Sequence, residues 1–254
     1  MKPSCLVVLS GGQDSTSCLY YAKKYYKVIH AITFDYGQSH LLEIAAAKKI
    51  AAYAGVTSHE VIKVPAILIS TSPLLSDTEL PQYESKVQME AIVGNKKEVT
   101  FVPMRNGLFL TIAANRAESL GCETIYTGVC AEDDANYPDC TANFIDAAQN
   151  YIDESLGHRK IMISAPWLRV SKADQIRTMW DEPGWQEAIS MSHTSYDGKF
   201  PPTDKNHANI LRAASFEEAG LPDPLVVRAW KRGLMELPET KNYERVTNDY
   251  PKTV

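Results

Sequence analysis

The first residues that could do chemistry form a glycine-rich stretch near the N-terminus. The segment VVLSGGQDSTSCL, residues 7–19, passes from an apolar run through a serine and two glycines to an acid and several hydroxyls. Glycines let backbone N–H groups point into one concavity, and a helix N-terminus adds unpaired amides and the positive end of its dipole. The segment therefore predicts that a phosphate or pyrophosphate binds where a strand meets a helix.

Two familiar phosphate-binding loops do not fit this stretch. A Walker loop needs a lysine after its second glycine, and residues 10–16 contain none. A dinucleotide fingerprint needs separated glycines, whereas Gly11 and Gly12 are adjacent. The remaining alternative is a Gly-Gly turn that binds no ligand. In that case the neighbouring hydroxyls and Asp14 would have no role in binding.

Two further segments lie where a predicted strand ends or a predicted helix begins. TFDYGQSH, residues 33–40, closes the second apolar run and is followed by Glu43. TFVPMRNGLFL, residues 100–110, puts Arg105 and Asn106 at a helix start, and an arginine can hold a carboxylate or phosphate at two points. Ligands of open α/β sheets bind at the carboxyl ends of the strands, so we expect these segments beside the glycine-rich loop.

Two more such segments lie in the second half of the chain. TGVCAEDDANYPDC, residues 127–140, follows an apolar run and carries several acids. SAPWLRVSKADQI, residues 164–176, begins a helical pattern at Lys172 just past another apolar run, with Ser171 as the expected N-cap. Both segments again follow the ends of predicted strands.

The elements that must position these residues alternate between apolar strand-like runs and helical patterns. This alternation predicts βαβ units and the α/β class, with a doubly wound, mostly parallel sheet and flanking helices. The predicted strands cover residues 5–10, 27–37, 58–64, 122–129 and 160–166. The predicted helices cover residues 14–27, 39–55, 105–121, 139–157 and 171–180.

Two regions interrupt the alternation. Residues 66–99 are polar, hold two prolines and show little periodicity, and a long loop of this kind is often a lid. The alternative for this stretch is a surface excursion without a role. Residues 185–254 hold many of the prolines and lack the alternation, so we expect an irregular and helical C-terminal extension to a single domain that covers residues 1–254.

Composition excludes several classes of protein. A chain of 254 residues that is 44% hydrophobic can bury one sizeable core. Its net charge of −5 does not favour direct nucleic-acid binding. No apolar run approaches the roughly 18 residues of a membrane span, and the N-terminus is typical of a first strand rather than a signal peptide. Five cysteines without a C-x-x-C pair argue against a disulfide framework and indicate a reducing cytoplasm.

Taken together, the motifs resemble the 7-cyano-7-deazaguanine synthase (QueC) family of the ATP pyrophosphatase superfamily. The matching segments are SGGQDST, FDYGQSH, FVPMRN, GV followed by YPDC, the helix that begins at Lys172, and LRAASFEEAG at residues 211–220. They occur in the family's order over nearly the whole chain. The resemblance implies a fold like that of the adenine nucleotide alpha hydrolases.

The resemblance also implies a reaction. ATP activates the carboxylate of 7-carboxy-7-deazaguanine, ammonia displaces the activating group to give an amide, and a second activation dehydrates the amide to a nitrile. The cofactors implied are ATP and Mg²⁺. The family further implies a homodimer.

The resemblance assigns roles to particular residues, each of which has a capping or surface role as its alternative. The residues implied for ATP binding are Leu9, Ser10, Gly11, Gly12, Gln13, Asp14, Ser15, Thr16, Phe34, Asp35 and Tyr36. The residues implied for catalysis are Asp14, Ser15, Arg105 and Lys172. The residues implied for substrate binding are Arg105, Asn106, Asp133, Tyr137 and Asp139, the last of which could instead be a helix N-cap.

The chain departs from the family where four cysteines usually bind a structural zinc. The positions of those cysteines hold Ser195, Thr203, Asn206 and Asn209. None of these is a thiolate, so we expect no structural zinc, and the extension would replace the zinc module by another tether. A different metal site remains an alternative, built from His193, His207, Asp197 and Asp204.

Smaller departures lie on the expected substrate side. Met104 and Asn136 stand where the family has glycines, and Thr141 replaces a frequent arginine. Two rival functions therefore stay open beside the nitrile synthase. One is a ligase that stops at the amide or joins the deazaguanine acyl group to another amine. The other is a nucleotide-binding protein without catalysis, which the intact glycine-rich loop, Arg105 and Lys172 disfavour.

Overall fold

The core of the computed structural model is a five-stranded parallel sheet in the order β3-β2-β1-β4-β5. The strands are β1 (Ser4–Val8), β2 (Val28–Asp35), β3 (Ser58–Lys63), β4 (Thr124–Tyr126) and β5 (Met162–Ser164). The structure describes residues 3–38, 42–64, 68, 70, 72–75, 80–94, 98–130, 137–193, 200–201 and 204–246. The predicted α/β class with a parallel sheet is confirmed.

Helices lie between and after the strands. They are α1 (Gln13–Lys23), α2 (Leu42–Ala54), α3 (Lys86–Val93), α4 (Arg105–Leu120), α5 (Ala142–Leu156), α6 (Lys172–Met179), α7 (Trp185–Met191), α8 (His207–Ala219) and α9 (Pro224–Lys231). Helix α1 ends four residues earlier than the predicted Lys27, because the chain must already be extended at Val28 to pair with Ser4 of β1. None of the helices in the described ranges is long and apolar enough to cross a bilayer.

Both faces of the sheet are covered, which is why its strands read as continuous apolar runs. On β1, Cys5 and Val7 join a cluster formed with α1, α2, α6 and α7. Between them, Leu6 joins a second cluster formed with α4 and α5 on the opposite face. On the first face, the indole N–H of fully buried Trp185 donates to the Ser17 hydroxyl at 3.1 Å, which fixes α7 against α1.

The stretch predicted as an aperiodic loop contains helix α3, so that part of the prediction is wrong. The helix is short, and Ser85 caps it by accepting a hydrogen bond from the Gln88 N–H at 3.2 Å. Tyr83 and Met89 of this stretch pack against Leu211 of α8. Local capping and this distant contact stabilise a helix whose own apolar pattern is weak. That the stretch acts as a lid stays a prediction.

The region predicted as an irregular and helical extension from residue 185 contains helices α7, α8 and α9. Arg212 of α8 donates to both carboxylate oxygens of Asp223, at 2.6 and 2.8 Å, and both side chains are buried. Asp223 also caps α9 by accepting from the Leu225 N–H at 2.9 Å. This buried pair ties two consecutive helices together, and local periodicity does not reveal such a contact.

Two of the family's zinc positions form a hydrogen-bonded cluster. The side-chain amides of Asn206 and Asn209 both donate to the Asp204 carboxylate, and Asn209 also donates to the Asp204 carbonyl at 3.0 Å. Asn206 caps α8 by accepting from the Asn209 N–H. The other two positions, Ser195 and Thr203, lie outside the described residues, as does Asp197 of the alternative metal site. In the described part of the chain, no three His, Cys, Asp or Glu residues are grouped as metal ligands.

Candidate active site

A cavity of about 250 Å³ opens at the carboxyl ends of β1, β2 and β4. The glycine-rich loop after β1 forms its floor, and the N-terminal ends of α4 and α6 face it. It is the edge at which open α/β sheets bind ligands. The predicted residues that line the cavity are Leu9, Ser10, Gly12, Gln13, Asp14, Ser15, Phe34, Tyr36, Arg105, Asn106, Tyr137 and Lys172.

Packing against α2 holds the glycine-rich loop in shape. Gly11 has φ +92°, and a Cβ at this position would lie 2.3 Å from the Glu43 carbonyl oxygen and 2.8 Å from the Ala47 nitrogen. Only glycine fits there. In the same loop, the Ser10 and Ser15 hydroxyls lie 2.9 Å apart. The loop therefore presents hydroxyls and the N-terminus of α1 to the cavity, as an anion site requires.

A second close approach involves Gly128, which follows β4. A Cβ on Gly128 would lie 2.8 Å from the Ser15 nitrogen and 3.0 Å from the Asp14 carbonyl carbon. The end of β4 thus touches the first turn of α1 backbone to backbone. The sequence prediction named no role for Gly128. A glycine directly after an apolar run was the available signal, since it marks close approach of a backbone.

Asp14 and Lys172 form an ion pair inside the cavity. The Lys172 amine lies 3.1 Å from a carboxylate oxygen of Asp14, although 158 residues separate them. Lys172 is only 8% exposed. Ser171 caps α6 by accepting from the Asp174 N–H, as predicted, and this cap directs the first residue of the helix towards the loop. A partly desolvated cation beside the phosphate loop can oppose negative charge much more strongly than one in water.

Asn106 and Asp139 hold the start of α4. The Asp139 carboxylate accepts from the Asn106 backbone N–H at 3.1 Å, and the Asn106 side chain donates to the Asp139 carbonyl at 3.0 Å. Asp139 therefore caps a helix, but the helix is α4 rather than its own. This cap fixes the adjacent Arg105, whose guanidinium lies 5.9 Å from the ring centre of Tyr36.

Aromatic rings form the wall beyond β2. The Phe34 and Phe109 rings stack at 4.1 Å with an interplanar angle of 5°, and Tyr36 lies 5.5 Å from Phe109. Such a wall suits a flat heterocyclic ring. Phe109 was not predicted, although it stands four residues after Arg105 and hence on the same side of α4. Elsewhere in the cavity lining, the hydroxyls of Thr100 and Tyr137 lie 2.6 Å apart.

Glu43 lines the cavity, although the sequence predicts no role for it. It belongs to the first turn of α2, which packs on Gly11. Burial raises the pKa of its carboxyl to about 7, and the nearby Arg105 acts in the opposite direction. The described residues therefore supply two cavity carboxylates, Asp14 and Glu43, in different electrostatic surroundings.

Residues of the C-terminal helices also reach the cavity. Among the residues that line it are His193, His207 and Arg212. The backbone N–H of His193 donates to the Gly11 carbonyl at 2.9 Å. His207 lies 3.9 Å from the buried carboxylate of Glu98. These contacts could not be predicted, because the alternation that orders the first 180 residues does not continue into this region.

A few predicted residues lie elsewhere. Thr16 is fully buried, and its hydroxyl donates to the Gly12 carbonyl at 2.7 Å. Asp35 accepts from the Gly37 N–H at 3.5 Å and shapes the turn after β2. Gly11, Thr16, Asp35 and Asp139 are outside the cavity lining, and Asp133 and Asn136 are outside the described residues. The ligand contacts predicted for all of these residues stay predictions.

Comparison with known proteins gives extensive matches. The chain matches the family model described as Queuosine biosynthesis protein QueC over residues 4–220. It is 42% identical over 230 residues to 7-cyano-7-deazaguanine synthase of Gloeobacter violaceus, across 89% of this chain and 95% of that protein. The corresponding protein of Laribacter hongkongensis is 41% identical over 223 residues, with 88% and 94% covered. The solved structure of NMN synthetase from Francisella tularensis aligns with a TM-score of 0.43 and 15% identity, over 100% of this chain and 87% of that chain.

Proposed function

This chain belongs to the QueC family of queuosine biosynthesis proteins, and from that membership we propose that it converts 7-carboxy-7-deazaguanine to 7-cyano-7-deazaguanine with ATP and ammonia. One observation carries the proposal. A single cavity holds the glycine-rich loop, the Asp14–Lys172 ion pair and Arg105. These groups suit the binding of an anionic nucleotide next to an anionic carboxylate, so that the two can react with each other.

The reaction needs ATP as well as the carboxylate substrate, because a carboxylate is a poor electrophile until it is activated. A carboxylate oxygen attacks the α-phosphorus of ATP, pyrophosphate leaves, and the acyl adenylate that results is a good acceptor. Ammonia then forms a C–N bond and AMP departs, which leaves the amide. In the second round the amide oxygen attacks the α-phosphorus of a second ATP and pyrophosphate leaves. The C–O bond then breaks with release of AMP, while the nitrogen loses two protons and becomes the nitrile nitrogen.

The cavity residues have matching tasks. The hydroxyls of Ser10 and Ser15 and the N-terminus of α1 would hold the phosphates. Lys172 and Arg105 would oppose the charge that develops as pyrophosphate and AMP leave. The wall of Phe34 and its stacked partner would hold the adenine ring.

Mg²⁺ prefers carboxylate and phosphate oxygens and keeps several of its waters. The Asp14 carboxylate beside the glycine-rich loop fits such an ion and would hold it together with phosphate oxygens of the nucleotide. When bound, the ion would screen phosphate charge. The homodimer stays a prediction from the family, and the cytoplasmic location and the absence of direct nucleic-acid binding stay predictions from the cysteines and the net charge.

A second candidate function is a ligase that stops at the amide or uses another amine. It is favoured by Met104, which stands where the family has glycine, adopts φ 63° and directly precedes Arg105. Thr141, where the family often has arginine, caps α5 by accepting from the Phe144 N–H. Both departures border the side of the cavity where we place the substrate.

One incubation separates the candidates. The protein is mixed with Mg-ATP, ammonium and 7-carboxy-7-deazaguanine, and products are read by mass spectrometry, with Lys172→Met as the inactive control. The nitrile together with AMP is expected. The amide alone would favour the second candidate. Untouched ATP with neither product would refute the nitrile synthase and the ammonia-dependent ligase, and would leave a different acyl substrate or a nucleotide-binding protein without catalysis.

A further inference from the structure

Glu43 is held at the junction of two parts of the cavity. Its backbone packs on Gly11 of the glycine-rich loop, and the residue lines the same cavity as Ser10 and Ser15, where we expect the phosphates. Burial raises the pKa of this carboxyl and Arg105 of α4 opposes the rise, while burial and this carboxylate raise the pKa of Tyr36 beyond β2. In the part of the chain that the structure describes, both partners line the same cavity. Glu43 therefore lies between the nucleotide side and the residue that we expect to face the substrate.

The proposed reaction needs a proton acceptor in this place. Like a lysine amine, whose pKa is about 10.4, ammonia is mostly protonated at neutral pH and then has no lone pair for attack. Of the two cavity carboxylates in the described residues, Asp14 is already paired with Lys172 at 3.1 Å. Glu43 is the other.

We propose that Glu43 is a catalytic residue that takes a proton from ammonium and so delivers ammonia to the activated carboxyl carbon. This inference rests on the proposed function. An N–H bond of ammonium breaks and its proton goes to a Glu43 oxygen. The nitrogen lone pair forms the C–N bond, the C–O bond to the adenylyl phosphate breaks, and AMP keeps that electron pair. The excess proton on nitrogen is released to water as the amide forms.

The surroundings of Glu43 suit this role. Burial raises the pKa of the carboxyl to about 7, while Arg105 limits the rise. A general base is most effective when its pKa lies near the working pH, where the charged form is populated and still basic. A carboxylate with an ordinary pKa of about 4.3 would be a much weaker base for ammonium.

The test compares two nucleophiles on Glu43→Gln. Hydroxylamine is a far weaker base than ammonia and is already neutral at neutral pH, so it attacks an acyl adenylate without first losing a proton. We measure carboxylate-dependent exchange of pyrophosphate into ATP, amide formation from ammonium, and hydroxamate formation from hydroxylamine. Glu43→Asp keeps the carboxylate, and Glu187→Gln is the matched control, since Glu187 is an exposed acid in the first turn of α7.

Glu43→Gln is expected to lower amide formation from ammonium by about 100-fold. Exchange and hydroxamate formation should change by less than about threefold, since neither needs that proton transfer. Glu43→Asp should be intermediate and Glu187→Gln unchanged. Equal losses for both nucleophiles, loss of exchange, or an unchanged amide rate would each overturn the role. If the wild-type protein shows no carboxylate-dependent exchange, it is the proposed function that fails.

Discussion

Replacing Gly128 by alanine tests whether backbone contact between β4 and α1 sets the geometry of the glycine-rich loop. The new Cβ would lie 2.8 Å from the Ser15 nitrogen, and ordinary contacts begin at 3.4 Å. The first turn of α1 must therefore retreat by about 0.6 Å, because both sides of the contact are backbone and no side chain can turn away. A misplacement of about 1 Å near the chemistry costs about 100-fold in rate, so we expect kcat/KM to fall by about 10- to 30-fold.

Stability should fall as well, by about 1–3 kcal/mol, which is the usual cost of overpacking. The matched control is Gly107→Ala in α4. A Cβ at Gly107 meets nothing closer than the Met104 methyl at 3.8 Å, and alanine favours a helix interior over glycine by about 0.5–1 kcal/mol. Steady-state AMP release and thermal melting of the two alanine variants against wild type give both quantities.

The two variants should move in opposite directions. Gly128→Ala loses activity and stability, whereas Gly107→Ala keeps its activity and melts slightly higher. Wild-type kcat/KM in folded Gly128→Ala would refute the reasoning, because it would mean that the loop tolerates the displacement. A loss of stability with unchanged activity would show that the contact matters for folding only.

Three other variants test separate features of the cavity and its rim. Lys172→Met should lower carboxylate-dependent pyrophosphate exchange by about 100- to 1000-fold, measured with isotope-labelled pyrophosphate; retained exchange would remove the lysine from catalysis. Met104→Gly should relieve about 1 kcal/mol of left-handed backbone strain and raise Tm by about 2–4 °C; an unchanged or lower Tm would contradict that strain. Glu43→Gln should melt higher than wild type at pH 8. The folded pKa of Glu43 is about 7, above its ordinary value, so ionisation opposes folding and the gain should shrink towards pH 5; a gain independent of pH would contradict the raised pKa.

The sequence was sufficient for the sheet and for the loop that opens the cavity. Strands such as β1 are buried on both faces and therefore appear as uniform apolar runs between helical patterns. Ser10, Gly12 and Ser15 could be placed in the cavity because a strand, a turn and a helix that follow one another directly leave little freedom. Lys172 could be placed near the same edge because its helix begins just past a predicted strand, but its pairing with Asp14, 158 residues away, could not be predicted.

What the sequence could not reveal depends on contacts between distant elements. Helix α3 has a weak apolar pattern of its own and is held by Ser85 and by packing on α8. Glu43 reads as an ordinary first-turn acid, which commonly stabilises a helix. Its raised pKa arises from burial in the folded cavity, which the local sequence does not show. Asp139 likewise gains its partner only when α4 lies beside it.

The change at the family's zinc positions bears on the substrate as well as on stability. Asn206 caps helix α8, and the same helix presents His207, Leu211 and Arg212 to the cavity. The cluster around Asp204 therefore sets the start of a helix that forms part of the cavity wall. Where the family has zinc-binding thiolates, this chain has the side-chain amides of Asn206 and Asn209. The position of that wall therefore depends on how these amides hold the start of α8. Since a wall that shifts alters which acyl group and which amine fit, the identity of the product is the measurement that decides between the nitrile synthase and the amide-forming ligase.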